Sequence, residues 1–329
     1  MASAAAALVR RLHDEGRCDG VLAAGGSGNT AIATSAMQAL PVGVPKLMVS
    51  TVAAGNTRDY IGAGDVALMA SVTDIAGINS ISGRILANAA AAMAGMVDAP
   101  PPKLQQERAL IAATMFGVTT PAVTSARETL EERGYEVLVF HATGAGGRAL
   151  EALAEARLVS GVLDLTTTEL ADDLVGGVLS AGPDRLTAAG AAGLPQVIAP
   201  GALDMVNFGP PATVPERYAG RLFFEHNPTV TLMRTTAAEM AELGGRIGRK
   251  AAAATGPAEV FWPERGVSAL DADGLAFWDP AADEACREAL ERELAAAGRN
   301  LRRVDAHIND PAFATAMADR LHQMIAEGS

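Results

Sequence analysis

Short runs of apolar residues at β-type spacing alternate with longer runs at helical spacing from one end of the chain to the other. Residues 4–15 repeat apolar positions as a helix does, and Gly16 can stop them. Residues 19–24 predict a strand. Residues 29–40 predict a helix whose Ile32, Ala33, Ala36, Met37 and Leu40 share one face, with Pro41 ending it. KLMVST at 46–51 and VALMASV at 66–72 predict two more strands, and 75–97 a long helix. The prolines of VDAPPPK at 97–103 then break the pattern, because proline cannot continue a helix and stiffens the chain. A domain boundary is expected there, giving a first domain at 1–99 and a second at 104–329.

The rhythm restarts after the prolines. Strands are predicted at 109–115, 135–142 and 160–166, with helices at 120–134 and 146–157 between them. Further strands are expected at 195–199, 221–225, 258–262 and 301–307, and helices at 235–254, 281–297 and 311–326. Strands joined by helical crossovers give a parallel sheet covered on both faces. The fold class is therefore α/β. Ligands in such sheets bind at the carboxyl ends of the strands, so the loop after each strand is where chemistry is sought.

Those loops are rich in glycine, hydroxyl and amide residues. After the first strand come Gly25, Gly26, Ser27, Gly28, Asn29 and Thr30. Small residues let a ligand approach the backbone, and the following helix offers free N–H groups and a positive dipole end. A strand–glycine loop–helix unit is a cradle for phosphate or carboxylate, although close packing alone also selects such loops. After the second strand come Asn56, Thr57 and Arg58, able to add side-chain contacts. In the second half, His141 and Gly144, Gly146 and Gly147 follow one strand, and Asp164 and Glu169 follow the next. One Ser, Thr or Asn after a strand is simply a helix cap. Eight such loops suggest a polar cleft between the domains, suited to a ligand with many hydrogen-bond acceptors.

Two windows match G-x-G-x-x-[G/A], at 26–31 and 144–149. The second follows a strand, opens a helix and has Asp164 at the end of the next strand, the layout of an NAD(P) site. An NAD(P)-dependent oxidoreductase is thus one alternative. No Walker A loop occurs. His141 and His226 are candidate acid–base groups, with a cleft-edge histidine bonded to a carbonyl as the plainer alternative. Asp74, Asp164, Asp204 and Glu169 suit Mg²⁺ beside a phosphate, or helix caps. Arg58, Arg148 and Arg234 suit a phosphate or carboxylate fork.

Bulk properties narrow the classes. The 329 residues carry a formal charge of −12, which argues against nucleic acid and anionic membranes as partners. Aromatic residues are only 4% of a chain that is 49% hydrophobic, so Ala, Val, Leu, Ile and Met must build the core. Cys18 and Cys286 are far apart and in no CxxC pattern, and no export signal or membrane span is legible. A cytoplasmic protein is expected.

Taken together, GGSGNT, STVAAGNTR, DIAGINSIS, TMFGVTTP, HATGAGGRALE, DLTTTEL, PGALDMVNFG and HNPTVTLMRT resemble, in this order, one family. It is the uncharacterised bacterial and fungal family that includes the ATP-binding N-terminal region of the tomato mosaic virus resistance protein. The resemblance spans about residue 5 to 325. It implies two Rossmann-like domains and a nucleotide, ATP with or without Mg²⁺, or another phosphorylated small molecule as ligand. An enzyme of small-molecule metabolism is the first expectation. A nucleotide-dependent binding or regulatory module without catalysis is the second. On this reading Gly25 to Thr30, Asn56, Thr57, Arg58 and Gly144, Gly146 and Gly147 bind the ligand, and His141, Asp164 and Glu169 do the chemistry. Family members usually open with about ninety further residues, so a truncated first domain with an uncovered sheet edge, and hence a homo-oligomer, is expected.

Overall fold

The computed structural model describes residues 1–62, 64–100 and 108–328, the side chain of Arg58 excepted. Residues 101–103 of the expected proline spacer lie outside the described residues. The chain divides into two units, Met1–Gln105 and Gln106–Ser329, and each is described by itself.

The first unit runs α1 (Ala2–Asp14), β1 (Val21–Gly25), α2 (Ser27–Gln38), β2 (Lys46–Ser50), α3 (Arg58–Ile61), β3 (Ala67–Ala70) and α4 (Ser80–Asp98). Its three strands are parallel in the order β1-β2-β3. Every residue of the central strand β2 is buried, as a strand covered on both faces requires. Met48 packs with Met37 of α2 on one face, and Leu47 and Val49 pack with Ala89 of α4 on the other. The helix α4 begins at residue 80, not 75, because the Asn79 side chain accepts from the Ile81 and Ser82 N–H groups and fixes the start. At the amino end of β2 the buried Lys46 ammonium donates to Asp65 at 2.5 Å and to the Pro41 carbonyl at 2.7 Å. Pairing of this kind is what a buried lysine requires.

The second unit begins β4 (Leu110–Met115), α5 (Thr120–Glu132), β5 (Glu136–His141), α6 (Ala145–Glu155), β6 (Gly161–Thr166), α7 (Glu169–Val175), α8 (Ala188–Ala191) and β7 (Gln196–Gly201). It continues β8 (Met205–Phe208), β9 (Phe223–Asn227), β10 (Val230–Arg234), α9 (Ala237–Ala252), β11 (Ala258–Pro263), α10 (Pro280–Ala296), β12 (Leu301–Val304) and α11 (Pro311–Glu327). Six strands form a parallel sheet in the order β12-β11-β7-β6-β4-β5. Chain order reverses direction between β4 and β6, the switch point of a doubly wound sheet. The α5 and α11 helices cover one face through Leu130, Phe313, Met317 and Leu321. The α9 and α10 helices, with α6 and α8, cover the other through Leu243, Ile247, Leu290 and Leu150. Both units are Rossmann-like α/β layers, as expected.

One part departs from the sequence pattern. The β8, β9 and β10 strands make a separate antiparallel sheet in the order β8-β10-β9. The sequence predicted a strand only at 221–225. Residues 225–229, expected to end a parallel strand, instead span the end of β9 and the hairpin turn to β10, where the Asn227 carboxamide accepts from the Thr229 N–H. His226 therefore sits on a hairpin of this small sheet and not at the carboxyl edge of the large one.

Candidate functional site

In the first unit the strands end in register, Gly25 beside Ser50 and Ser50 beside Ala70. Three loops leave this edge, and Ser50 ties them together. Its hydroxyl bonds Thr30 Oγ1 at 2.7 Å and accepts from the Val52 N–H at 3.1 Å. Its carbonyl accepts from the Ser71 N–H at 3.1 Å. Next to Ser71, Val72 takes φ 62° while 78% exposed, a left-handed conformation that β-branched residues avoid.

The α2 helix starts at Ser27, two residues earlier than the apolar pattern indicates. Its N-cap is Gly26, which has no side chain to cap with. No described residue accepts from the N–H groups of Ser27, Gly28 or Asn29, all three of which are exposed. A Cβ built on Gly28 meets nothing within 4 Å, so open space stands over the helix start. Thr30 is buried and holds the Gly26 carbonyl at 2.9 Å as well as Ser50, which makes it a brace beneath the loop. Gly25 is needed for packing, since its Cβ would lie 2.4 Å from that of Asn29. Asn56 is exposed, and the half-buried Thr57 starts α3 by accepting from Tyr60 and Ile61 N–H groups. The Arg58 side chain lies outside the described residues.

The glycine loop of the second unit has the same ingredients and a different outcome. Glu169 fills it. One carboxylate oxygen accepts from the Gly144 N–H at 2.6 Å and the Gly147 N–H at 3.0 Å. A Cβ on Gly147 would stand 2.1 Å from Glu169 Oε2, and one on Gly146 would stand 2.0 Å from the His141 carbonyl oxygen. These glycines thus have a packing reason. The other oxygen of Glu169 accepts from Arg185 Nε at 2.6 Å.

Arg185 is the centre of this group and is wholly buried. Its two terminal nitrogens fork onto Asp164 at 2.5 and 2.6 Å, and one also donates to Glu151 at 3.1 Å. Thr114 Oγ1 donates to Asp164 at 2.9 Å across the switch point. Glu151 in turn accepts from the Leu186, Thr187 and Ala188 N–H groups. Asp164 and Glu169 are therefore brought together, as expected, but by an arginine the sequence reading did not single out. A signal was available: between residues 158 and 215 the chain holds six acids (Asp164, Glu169, Asp172, Asp173, Asp184, Asp204) and one base, Arg185. His141 is exposed at the end of β5 with its ring 5.4 Å from that of Phe116, and no described hydrogen bond joins it to Asp164 or Glu169. Next to the group, Asp172 accepts from the Asn207 side chain at 2.7 Å, and burial pushes its carboxyl up to about 7.

Asp204 and Arg234 belong to a second interior cluster with Asp271 and Asp283. The Arg234 guanidinium donates to Asp283 at 3.0 Å and to the Phe277 carbonyl at 2.8 Å. Ser268 donates to Asp204 at 2.7 Å. Burial, reinforced by the Asp271 charge, pushes Asp204 up to about 7 and Asp283 up to about 8. Arg148 donates to the Ser180 carbonyl at 3.1 Å. Among the described residues no group of three or more His, Cys, Asp or Glu is arranged to hold a metal ion. No described helix is long and apolar enough to cross a membrane.

Comparison with known proteins places this geometry in a family. The model described as "Uncharacterised protein family (UPF0261) N-terminal domain" matches residues 1–102, and the corresponding C-terminal domain model matches residues 108–325. A UPF0261 protein of Clostridium tetani is 52% identical over 325 residues, covering 99% of this chain and 80% of that protein. A UPF0261 protein of Mesorhizobium japonicum is 53% identical over 297 residues, covering 89% of this chain and 74% of that protein. The ToMV resistance protein Tm-1(GCR237) of Solanum lycopersicum is 45% identical over 317 residues, covering 93% of this chain and 42% of that protein. Of the expectation of a truncated first domain, the comparisons bear on one part: the first unit is matched at 1–102 by the family's N-terminal domain model, so both family domains are represented in the chain. With both of its domains matched in order, the chain belongs to the uncharacterised protein family UPF0261.

Proposed function

We propose that the first unit binds a phosphorylated small molecule, of the nucleotide class and ATP first among them, at the start of α2. The carrying observation is the contrast between two glycine loops. At 144–147 the backbone N–H groups are taken by Glu169. At 26–29 the N–H groups have no partner among the described residues, the N-cap has no side chain, and space stands open above Gly28. Unpaired N–H groups at the positive end of a helix attract phosphate oxygens. Asn56 and Thr57 lie in the next loop along the same edge and are suited to contact the rest of the ligand.

The reading is one of binding before chemistry. Asp164 and Glu169 spend their oxygens on Arg185 and on the 144–147 loop, which favours a positioning role for both. The same Glu169 contacts weigh against an NAD(P) pyrophosphate at that loop, because the ligand would have to displace a buried carboxylate.

Gly28→Asp tests the proposal. A Cβ there meets nothing within 4 Å, and a carboxylate in the first helical turn stabilises by about 0.3–1 kcal/mol. The variant should therefore fold at least as well as the parent while repelling phosphate. Isothermal titration with Mg-ATP, ADP and NADH should show nucleotide binding that the substitution abolishes. Equal affinity in parent and variant, or no binding to any of the three, would remove the basis for the reading.

A further inference from the structure

The small antiparallel sheet of the second unit carries an open pocket of about 420 Å³. That volume is in the range of small-molecule sites. It lies against β9 and β10 and the two short turns that precede them. Val214, Pro215, Tyr218 and Phe223 give it apolar walls. Its charged lining residues are Glu216 and Glu225, both exposed, and neither takes part in a described salt bridge. Among the described residues no lysine or arginine lines it.

Among the described residues lining it, Thr231 alone is buried, at 3% exposure, and its hydroxyl has no hydrogen-bond partner among the described residues. It shares a face with Met233, whose surroundings include Phe208, Phe223 and Tyr218. A buried hydroxyl without a partner weakens a fold, and valine has the same shape without that penalty. The hydroxyl is best accounted for by something the pocket takes in. The charge on the rim says what kind of molecule. Two exposed carboxylates on the lining favour a cation, and aromatic faces attract organic cations. Tyr218 already does so from beyond the lining, with the Arg217 and Arg221 guanidinium carbons 4.8 and 5.9 Å from its ring centroid.

We propose that this pocket binds a small organic ammonium ion, an amine carried on a flat apolar body. The body lies against Tyr218 and Phe223, the ammonium faces Glu216 and Glu225, and a polar group on the body satisfies Thr231. This site is separate from the start of α2 and does not depend on nucleotide binding there.

The test uses the full chain and a panel of aryl- and alkylammonium ions led by phenethylammonium. Phenethyl alcohol and phenylacetate serve as neutral and anionic counterparts. Titration calorimetry should show the ammonium binding, the alcohol binding more weakly and the acid not at all. The double change Glu216→Gln, Glu225→Gln should weaken the ammonium by about fivefold and flatten its salt dependence, as suits exposed carboxylates. Thr231→Val should weaken ligands with a polar group on the body by about tenfold while the melting temperature holds or rises. A Thr231→Val chain that melts lower than the parent would make the hydroxyl structural and overturn the proposal. Phenylacetate binding as tightly as phenethylammonium, unchanged affinity in the double variant, or no binding across the panel would overturn it equally.

Discussion

Replacing Glu169 by alanine removes a carboxylate that serves three donors at once. Two are the Gly144 and Gly147 N–H groups, at 2.6 and 3.0 Å, and the third is Arg185 Nε at 2.6 Å. All of these groups are away from solvent, so water is not at hand to replace the lost oxygens. An orphaned buried N–H costs about 1–3 kcal/mol. Breaking a buried ion pair costs about 3–5 kcal/mol, and here the lower end applies, because Arg185 keeps its fork on Asp164. The sum is about 4–6 kcal/mol, once some relaxation of the loop is allowed. A typical domain has only about 5–15 kcal/mol in all. In urea the slope for a small protein is about 1–3 kcal/mol per molar, and at about 2 kcal/mol per molar the midpoint should fall by about 2–3 M. Hydrogen exchange should show the first turn of α6 opening ahead of the rest of the unit. Glu169→Gln keeps the shape and one acceptor and should lose less. If Glu169→Ala unfolds at the parent's midpoint, the carboxylate is not what closes the 144–147 loop, and the contrast between the two glycine loops fails with it.

Two glycine substitutions test the contrast between the loops. Gly146→Ala forces a Cβ to 2.0 Å from the His141 carbonyl oxygen, a backbone atom that cannot swing away, and should cost about 1–3 kcal/mol in thermal unfolding. Gly28→Ala, with open space around it, should stay within about 0.5 kcal/mol of the parent. The pH dependence has a definite sign. Asp204 and Asp283 hold protons in the folded state up to about 7 and about 8, while their usual value is 3.8. The folded state binds more protons than the unfolded one across that window, so stability is fullest below about pH 4 for these groups and is lost as pH rises to about 8. Asp204→Asn should flatten that part of the stability profile, and a slope unchanged from the parent would contradict the assignment.

The alternation of strand and helix was legible because each period is a property of the local backbone. A buried strand such as KLMVS and an amphipathic run such as 235–254 announce themselves without reference to the rest of the chain. The same alternation places the GGSGNT, STVAAGNTR and SVTDIAGIN loops on one sheet edge, since successive parallel strands point the same way. Helix starts were legible to within a few residues. They shifted where caps decided them, as at Asn79, or where small residues joined the first turn, as at Ser27. The strands β8 and β10 escaped notice because four or five residues between turns carry too short a period to tell a strand from a loop.

The chain by itself determined that two α/β units exist, that their loops are built for close backbone approach, and which residues line those loops. Only the tertiary structure decided that one glycine loop is open and the other closed. Gly144 and Glu169 are 25 residues apart, and Arg185 reaches Asp164 from a segment with no periodic signal at all. Nothing local distinguishes GGSGNT from GAGGRA. What separates them is whether folding carries an acid from elsewhere into reach of the N–H groups, and burial makes that partner obligatory.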